Sequence, residues 1–221
     1  MEFKFIWKFI FIQSQDLLVI KQNGLKFAQF EAMGGPPQIG NDPNMAEEPT
    51  TAGHYIIDKT EAYRTPTWPT SKLTWGTKLK DMPAKGDIWY ALPSGKWGSL
   101  NQLYKLPVRS AIMEMHKELY GEEVVPDKWV FNDFGPTAIR WFKDINGNKI
   151  LDGKERLSGQ MFHTTPENEA EKTTGSTVRL VPSHGCIHLK PNDRDRLFTI
   201  GAFKRGTSFT VYKYHERYKS N

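Results

Sequence analysis

Six consecutive residues, Ser183-His184-Gly185-Cys186-Ile187-His188, place a thiol between two imidazoles at two-residue spacing. Cys186 is the only cysteine among 221 residues. It can form no disulfide within the chain, and any thiol chemistry falls to it. A free thiol has a pKa of ~8.5 and is mostly protonated at neutral pH. A neighbouring imidazole can take that proton and create a nucleophile. Gly185 has no side chain, so a substrate carbonyl can come close to the backbone. The N–H groups of Gly185 and Cys186 are then candidates to receive a developing oxyanion. If the segment continues as a strand, His184, Cys186 and His188 project from one face. Spacing alone leaves three readings open: a nucleophile, a small buried hydrophobe, and part of a metal site that needs ligands from elsewhere. A lone cysteine does exclude a Cys₄ or Cys₂His₂ zinc module.

A second constellation lies at residues 144–155, DINGNKILDGKE. Asp144, Asn146, Asn148, Asp152 and Glu155 put side-chain oxygens at positions 1, 3, 5, 9 and 12 of a calcium-type loop. Lys149 occupies position 6, where glycine is expected, and no flanking helices are evident. A polar turn between strands is the preferred reading, and a calcium loop the alternative.

The elements around these residues are mostly β. Residues 1–12, MEFKFIWKFIFI, alternate with period two and read as the opening strand. Leu17–Lys21 follows, then Asn23-Gly24, a strong hairpin signal, and a return strand over Leu25–Met33 ended by Gly34-Gly35-Pro36-Pro37. Further strands are expected at residues 54–58, 129–131, 138–142, 160–164, 178–181, 186–189 and 209–212. Helices are expected at 107–120, where Pro107 suits the first turn and Gly121 stops it, and at 192–200 with Asn192 as cap. Residues 59–129 form an irregular insertion holding Trp68, Trp75, Trp89 and Trp97 among prolines and glycines. These tryptophans either plug the insertion's own core or form a carbohydrate-stacking surface. The expected architecture is one mainly β domain over 1–221, β-sandwich-like, with one or two short helices and that insertion.

The balance of 30 basic against 25 acidic residues gives a charge of +5. The basic residues are dispersed, so nucleic acid is not expected as a partner. A basic surface also suits polyanionic wall material. No stretch reaches the ~18 apolar residues of a membrane span. Lys4 and Lys8 interrupt the apolar start, and no small-residue cleavage site follows. No export signal is therefore expected here, and the route of export stays open.

Residues 183–197, SHGCIHLKPNDRDRL, resemble the signature of the L,D-transpeptidase catalytic domain family, which pairs an upstream histidine with Ser/Thr-His-Gly-Cys. The opening hairpin, the segment 49–56 (PTTAGHYI) and the closing 206–211 (GTSFTV) are similar to the family's first and last strands. The resemblance covers residues 5–58 and 130–213. It implies Cys186 as nucleophile and His163, in QMFHTT, as its base. Thr164 supplies an oxygen that orients the imidazole. His184 lines the site, Ser183 and Gly185 shape the oxyanion turn, and His188 stands at a substrate-recognition position where the family usually carries Asn or Arg. Thr164 also replaces a common glycine. The implied reaction is acyl transfer on peptidoglycan stem tetrapeptides through a thioester, giving 3→3 cross-links or D-amino-acid exchange at the cell wall. It uses no metal or organic cofactor, and the oligomeric state is left open. The alternatives are an L,D-carboxypeptidase, an antibacterial effector or lysis factor of the same fold, and an inactive wall-binding module.

Overall fold

The computed structural model describes residues 5–41 and 46–218. The expected opening strand falls partly on residues 1–4, outside the described residues. The chain forms two compact units. One comprises Met1–Glu61, Ala138–His163 and Arg179–Asn221, and the other Ala62–Thr137 and Thr164–Val178.

The first unit is a closed barrel of eight strands. In chain order they are β1 (Trp7–Ile12), β2 (Leu17–Gln22), β3 (Leu25–Met33), β4 (Gly53–Glu61), β8 (Ala138–Phe142), β9 (Leu157–His163), β10 (Ile187–Leu189) and β11 (Ser208–Tyr212). Around the ring the order is β1-β11-β4-β8-β9-β10-β3-β2. Two neighbouring pairs, β1–β11 and β9–β10, are parallel. The mainly β expectation holds. Its sandwich-like detail resolves into a ring without free edges, which period-two patterning does not specify.

Asn23 and Gly24, with φ of 51° and 85°, make the tight β2–β3 turn that their types prescribe. Alternation sends Phe9 and Phe11 inward with no exposure, while Lys8 faces solvent. Trp141, Phe162 and Phe209 arrive from three other strands and form the barrel's aromatic centre. Phe162 lies 4.8 Å from Phe209 and 5.0 Å from Trp141 between ring centroids. These rings hold β8, β9 and β11 together, and so fix the strand that ends at His163.

The second unit contains a three-stranded sheet of β5 (Leu79–Met82), β6 (Asp87–Ala91) and β7 (Trp97–Ser99). It also holds helices α1 (Leu100–Tyr104), α2 (Arg109–Tyr120) and α3 (Pro166–Thr174). The insertion is thus ordered rather than irregular. Its strands are three to five residues long, too short to show a period. Leu73, Leu79, Ile88, Leu100, Ile112, Trp129 and Phe131 form its core. Asn132 has no exposure and donates to the carbonyls of Tyr63 and Leu73 at 2.9 and 2.6 Å.

Two expected strands are corrected. Residues 129–131 form no strand: Trp129 exchanges backbone hydrogen bonds with Gly76 and Thr77 beside an isolated bridge between Lys78 and Lys128, and the pairing stops there. Residues 178–181 also form none. One unexpected helix, α3, carries ordinary signals: Thr165 caps the Asn168 N–H, Pro166 opens the first turn, and Gly175 closes the end at φ 77°. The expected 192–200 helix is α4 (Pro191–Thr199), with Lys190 rather than Asn192 at its cap and Pro191 opening its first turn. Three of the four tryptophans, Trp68, Trp75 and Trp89, are half-buried, and Trp97 is 43% exposed.

Removing the central ring tests this packing. Phe162→Ala is expected to cost about 3–5 kcal/mol, read as a lowered urea midpoint at unchanged slope.

Candidate active site

The segment holding the thiol is a turn, not a continuous strand. Gly185 sits at φ +103°, which breaks the two-residue alternation before β10 begins at Ile187. His184 and His188 therefore do not share a face: His184 is exposed and His188 is buried. Ser183 is 2% exposed. Its Oγ accepts the Gly185 N–H at 3.0 Å and donates to the Cys186 carbonyl at 2.5 Å, which ties the turn into one conformation. The Gly185 N–H is thus engaged within the turn and does not stand ready for an oxyanion, as its sequence position had suggested.

The turn is held by close backbone approaches that only glycine permits. A Cβ on Gly185 would lie 2.4 Å from Gln160 Nε2 and 3.2 Å from Glu48 Cγ. One on Gly35 would lie 1.6 Å from the Glu48 carbonyl oxygen and 3.0 Å from the Gly185 nitrogen. The Ser183 N–H donates to the Gly34 carbonyl at 3.0 Å. Gln160, from β9, fastens the facing loop: Oε1 accepts the Thr51 N–H at 2.9 Å, and Nε2 donates to Glu48 Oε1 at 3.2 Å and to the Pro49 carbonyl at 3.3 Å. Sequence reasoning missed Gly34, Gly35, Glu48 and Gln160 as parts of this site. The Gly34-Gly35 pair is the available signal, and strand termination alone is enough to explain it in the sequence.

Cys186 is half-buried. Burial pushes its thiol up to about 11; the Met161 backbone N–H and the Arg140 charge pull the other way, and the Glu48 carboxylate adds to the rise. Arg140 is itself buried, donating to Glu61 Oε1 at 3.2 Å and the Ser158 carbonyl at 2.9 Å. A thiol raised in this way favours its neutral form more than a free cysteine does, and a nearby base would be needed to charge it.

The two candidate imidazoles lie on parallel neighbours. His163 ends β9 and His188 sits in β10, directly paired in register. Both are buried, and their rings meet edge to face at 4.7 Å and 78°. His188 Nδ1 lies 2.9 Å from the Val181 carbonyl oxygen. A carbonyl only accepts, so Nδ1 carries the hydrogen. His188 therefore packs behind His163 instead of standing at an exposed recognition wall.

Thr164, with no exposure, belongs to the second unit. Its hydroxyl donates to Glu169 Oε1 at 2.6 Å, so its single proton goes there. A Cβ on Gly135 would lie 2.2 Å from the same hydroxyl oxygen. Neither Glu169 nor Gly135 was marked by any motif.

The loop at 144–155 folds on itself. Asp144 accepts the N–H groups of Gly147 and Lys149 at 2.8 and 3.1 Å, and Glu155 accepts those of Ile145 and Asp152 at 2.7 and 3.2 Å. Asn146 and Asn148 donate to the two oxygens of Asp152 at 2.9 and 2.8 Å. Lys149 adopts φ +59°, the left-handed conformation usual for glycine at that position. Among the described residues no group of three or more His, Cys, Asp or Glu is placed to hold a metal ion. Nor is any helix among them long and apolar enough to cross a membrane.

Comparison with known proteins gives one strong result. The model of the YkuD family, the L,D-transpeptidase catalytic domain, matches residues 7–210. No curated protein matches the sequence. Similar solved structures include L,D-transpeptidase 1 of Mycobacterium tuberculosis, at 14% identity over 94% of this chain and 62% of that one, with a TM-score of 0.37. An L,D-transpeptidase from Mycobacterium smegmatis is 12% identical over 94% and 59%, with a TM-score of 0.39. Residues 123–326 of the enzyme from Xylanimonas cellulosilytica are 9% identical over 96% and 63%, with a TM-score of 0.41. The chain spans about three fifths of the length of these structures. Likenesses this distant carry no weight beside the family match.

The close approach at Gly185 is directly testable. Gly185→Ala meets both an unfavourable φ and the Gln160 amide. It is expected to destabilise the protein by about 1–3 kcal/mol and to abolish thiol reactivity toward an acylating agent. Thermal unfolding and intact mass together check it.

Proposed function

Because the chain belongs to the L,D-transpeptidase catalytic domain family, we propose that it is a cysteine acyltransferase acting on peptidoglycan stem tetrapeptides. The observation that carries this reading is a family match that spans both His163 and Cys186, joined to a glycine-dependent turn that holds the chain's only thiol. The site of action is the cell wall, and no cofactor enters the reaction.

In this reading substrate binding brings the scissile carbonyl over the Gly185–Cys186 turn. The Cys186 proton passes to His163, and Sγ attacks the carbonyl carbon between the third residue and the terminal D-alanine. The carbonyl oxygen becomes an oxyanion, for which the Cys186 N–H is the assigned donor, since that of Gly185 is committed to Ser183. Collapse breaks the C–N bond while His163 returns its proton to the leaving amine. The resulting thioester is attacked by an acceptor amine. His163 takes that amine's proton, an amide forms, and the proton returns to the Cys186 sulfur.

His188 acts as a positioning residue, its edge-to-face contact restricting the His163 ring. Ser183 holds the turn. His184, exposed beside the thiol, is assigned to the substrate-facing wall. The Thr164 hydroxyl is engaged by Glu169, so it is given no part in the proton transfer.

Two measurements test the proposal. A carbapenem should acylate the intact protein by one equivalent, giving an adduct absent from Cys186→Ala; an unmodified wild-type protein would count against the nucleophile. With purified tetrapeptide muropeptides, mass spectrometry should show a 3→3 dimer or an exchanged terminal residue. Both should be lost in Cys186→Ala and reduced about 10²–10⁴-fold in His163→Ala. A tripeptide as the sole product would assign hydrolysis in place of transfer.

A further inference from the structure

Three depressions on the first unit lie side by side. One, about 700 Å³, is lined by residues that include Phe5, Lys149, Lys204, Arg205 and Ser208. The next, about 290 Å³, shares Lys149 and Ser208 with it and adds Lys8, His54 and Thr210. The third, about 490 Å³, shares His54 and Thr210 and continues to Lys213 and Arg217. The shared residues make them one trough, running beside residues 206–213. Eight residues of extended chain span about 25 Å.

Its lining is strongly basic. Lys8, Lys149, Lys204, Arg205, Lys213 and Arg217 contribute six cations, against two carboxylates, Asp144 and Glu216. Both carboxylates are partly occupied by backbone N–H groups: Asp144 by those of Gly147 and Lys149, Glu216 by that of Lys213. Among the described residues only Arg205 of the six makes an ion pair, with Asp58 at 3.1 Å. Six cations less two carboxylates leave +4 in the trough, out of the whole chain's net charge of +5, so the excess positive charge is concentrated there.

The position of the trough matters as much as its charge. β11 and β10 stand four strands apart in a ring of eight, so they occupy opposite walls of the barrel. Cys186 immediately precedes β10. Most of the trough therefore runs along strands on the wall opposite β10, while its Ala52–Gly53 end follows Thr51, whose N–H is bonded to the Gln160 side chain that abuts Gly185.

We propose that this outer face of β1, β11 and β4 binds a linear polyphosphodiester through its row of cations. A trough fits a chain better than a membrane, which needs a convex or flat contact. Exposed lysines and arginines along it would neutralise successive phosphates and release counterions. Of the rings that line it, Phe209, Tyr55 and Trp7 are buried, and only exposed Phe5 at one end and half-buried Tyr212 at the other reach solvent, so two separated rings offer no continuous run to stack bases. That favours a base-free polymer of wall type over nucleic acid. The wall as its source rests on the function proposed above; the trough does not.

Binding of the full-length protein to fluorescent poly(glycerol phosphate), followed by anisotropy, tests the inference independently of catalysis. Lys8→Glu, Lys149→Glu and Lys204→Glu combined should weaken binding at least tenfold and leave turnover of a soluble muropeptide unchanged. A matched triple in the second unit, Lys80→Glu, Lys85→Glu and Lys96→Glu, should change it less than twofold. Wild-type affinity should also fall by an order of magnitude or more on raising salt from about 50 to 200 mM. Equal losses in the two triples would reduce the effect to net charge and overturn the site. No binding at low salt would overturn it as well. Tighter binding of single-stranded DNA than of poly(glycerol phosphate) would overturn the wall polymer as ligand.

Discussion

The constraint on which the site depends is the cost of charging a buried thiol. Taking Cys186 out of water pushes its pKa up to about 11. If Cys186 is the nucleophile proposed above, the chain must also supply a base, a donor for the oxyanion and a path for the substrate carbonyl.

His163, the proposed base, is placed by strand pairing. β9 and β10 are parallel neighbours, and their register puts His163 beside His188. That register is held from within by Phe162, which precedes His163 and is wedged among Trp141 and Phe209. The turn before β10 is placed by the absence of side chains. Gly35 and Gly185 let two backbone segments approach to within contact, and Gln160 joins β9 to the loop carrying Glu48. Ser183 then closes the turn by accepting one N–H and donating to one carbonyl.

Much of the barrel was legible in the residues themselves. Asn23-Gly24 makes its turn, residues 138–142 are β8, and the alternation of Phe9 and Phe11 with Lys8 sets the inward face. These features are local, decided by turn chemistry or a two-residue period. Ring closure was not legible, because it depends on β11 returning to pair with β1 across nearly the whole chain. The strand expected over residues 186–189 loses its first residue to the turn, since a positive φ at Gly185 has no periodic signature. His184 and His188 looked equivalent by spacing and end up on opposite sides of the burial boundary. Glu48, Gln160 and Glu169 act at separations or in loops that no motif marks. The insertion was unreadable for a plainer reason: strands of three to five residues cannot display a period.

The most direct measurement is the ionisation of the thiol itself. The chain has one cysteine, so the ultraviolet absorbance of thiolate, with Cys186→Ala as blank, reports a single group. A protonated resting thiol predicts no thiolate signal at neutral pH in either the wild type or His163→Ala, with absorbance appearing only as pH rises toward about 11. A full thiolate signal at neutral pH in the wild type, lost in His163→Ala, would mean a preformed ion pair and would contradict it.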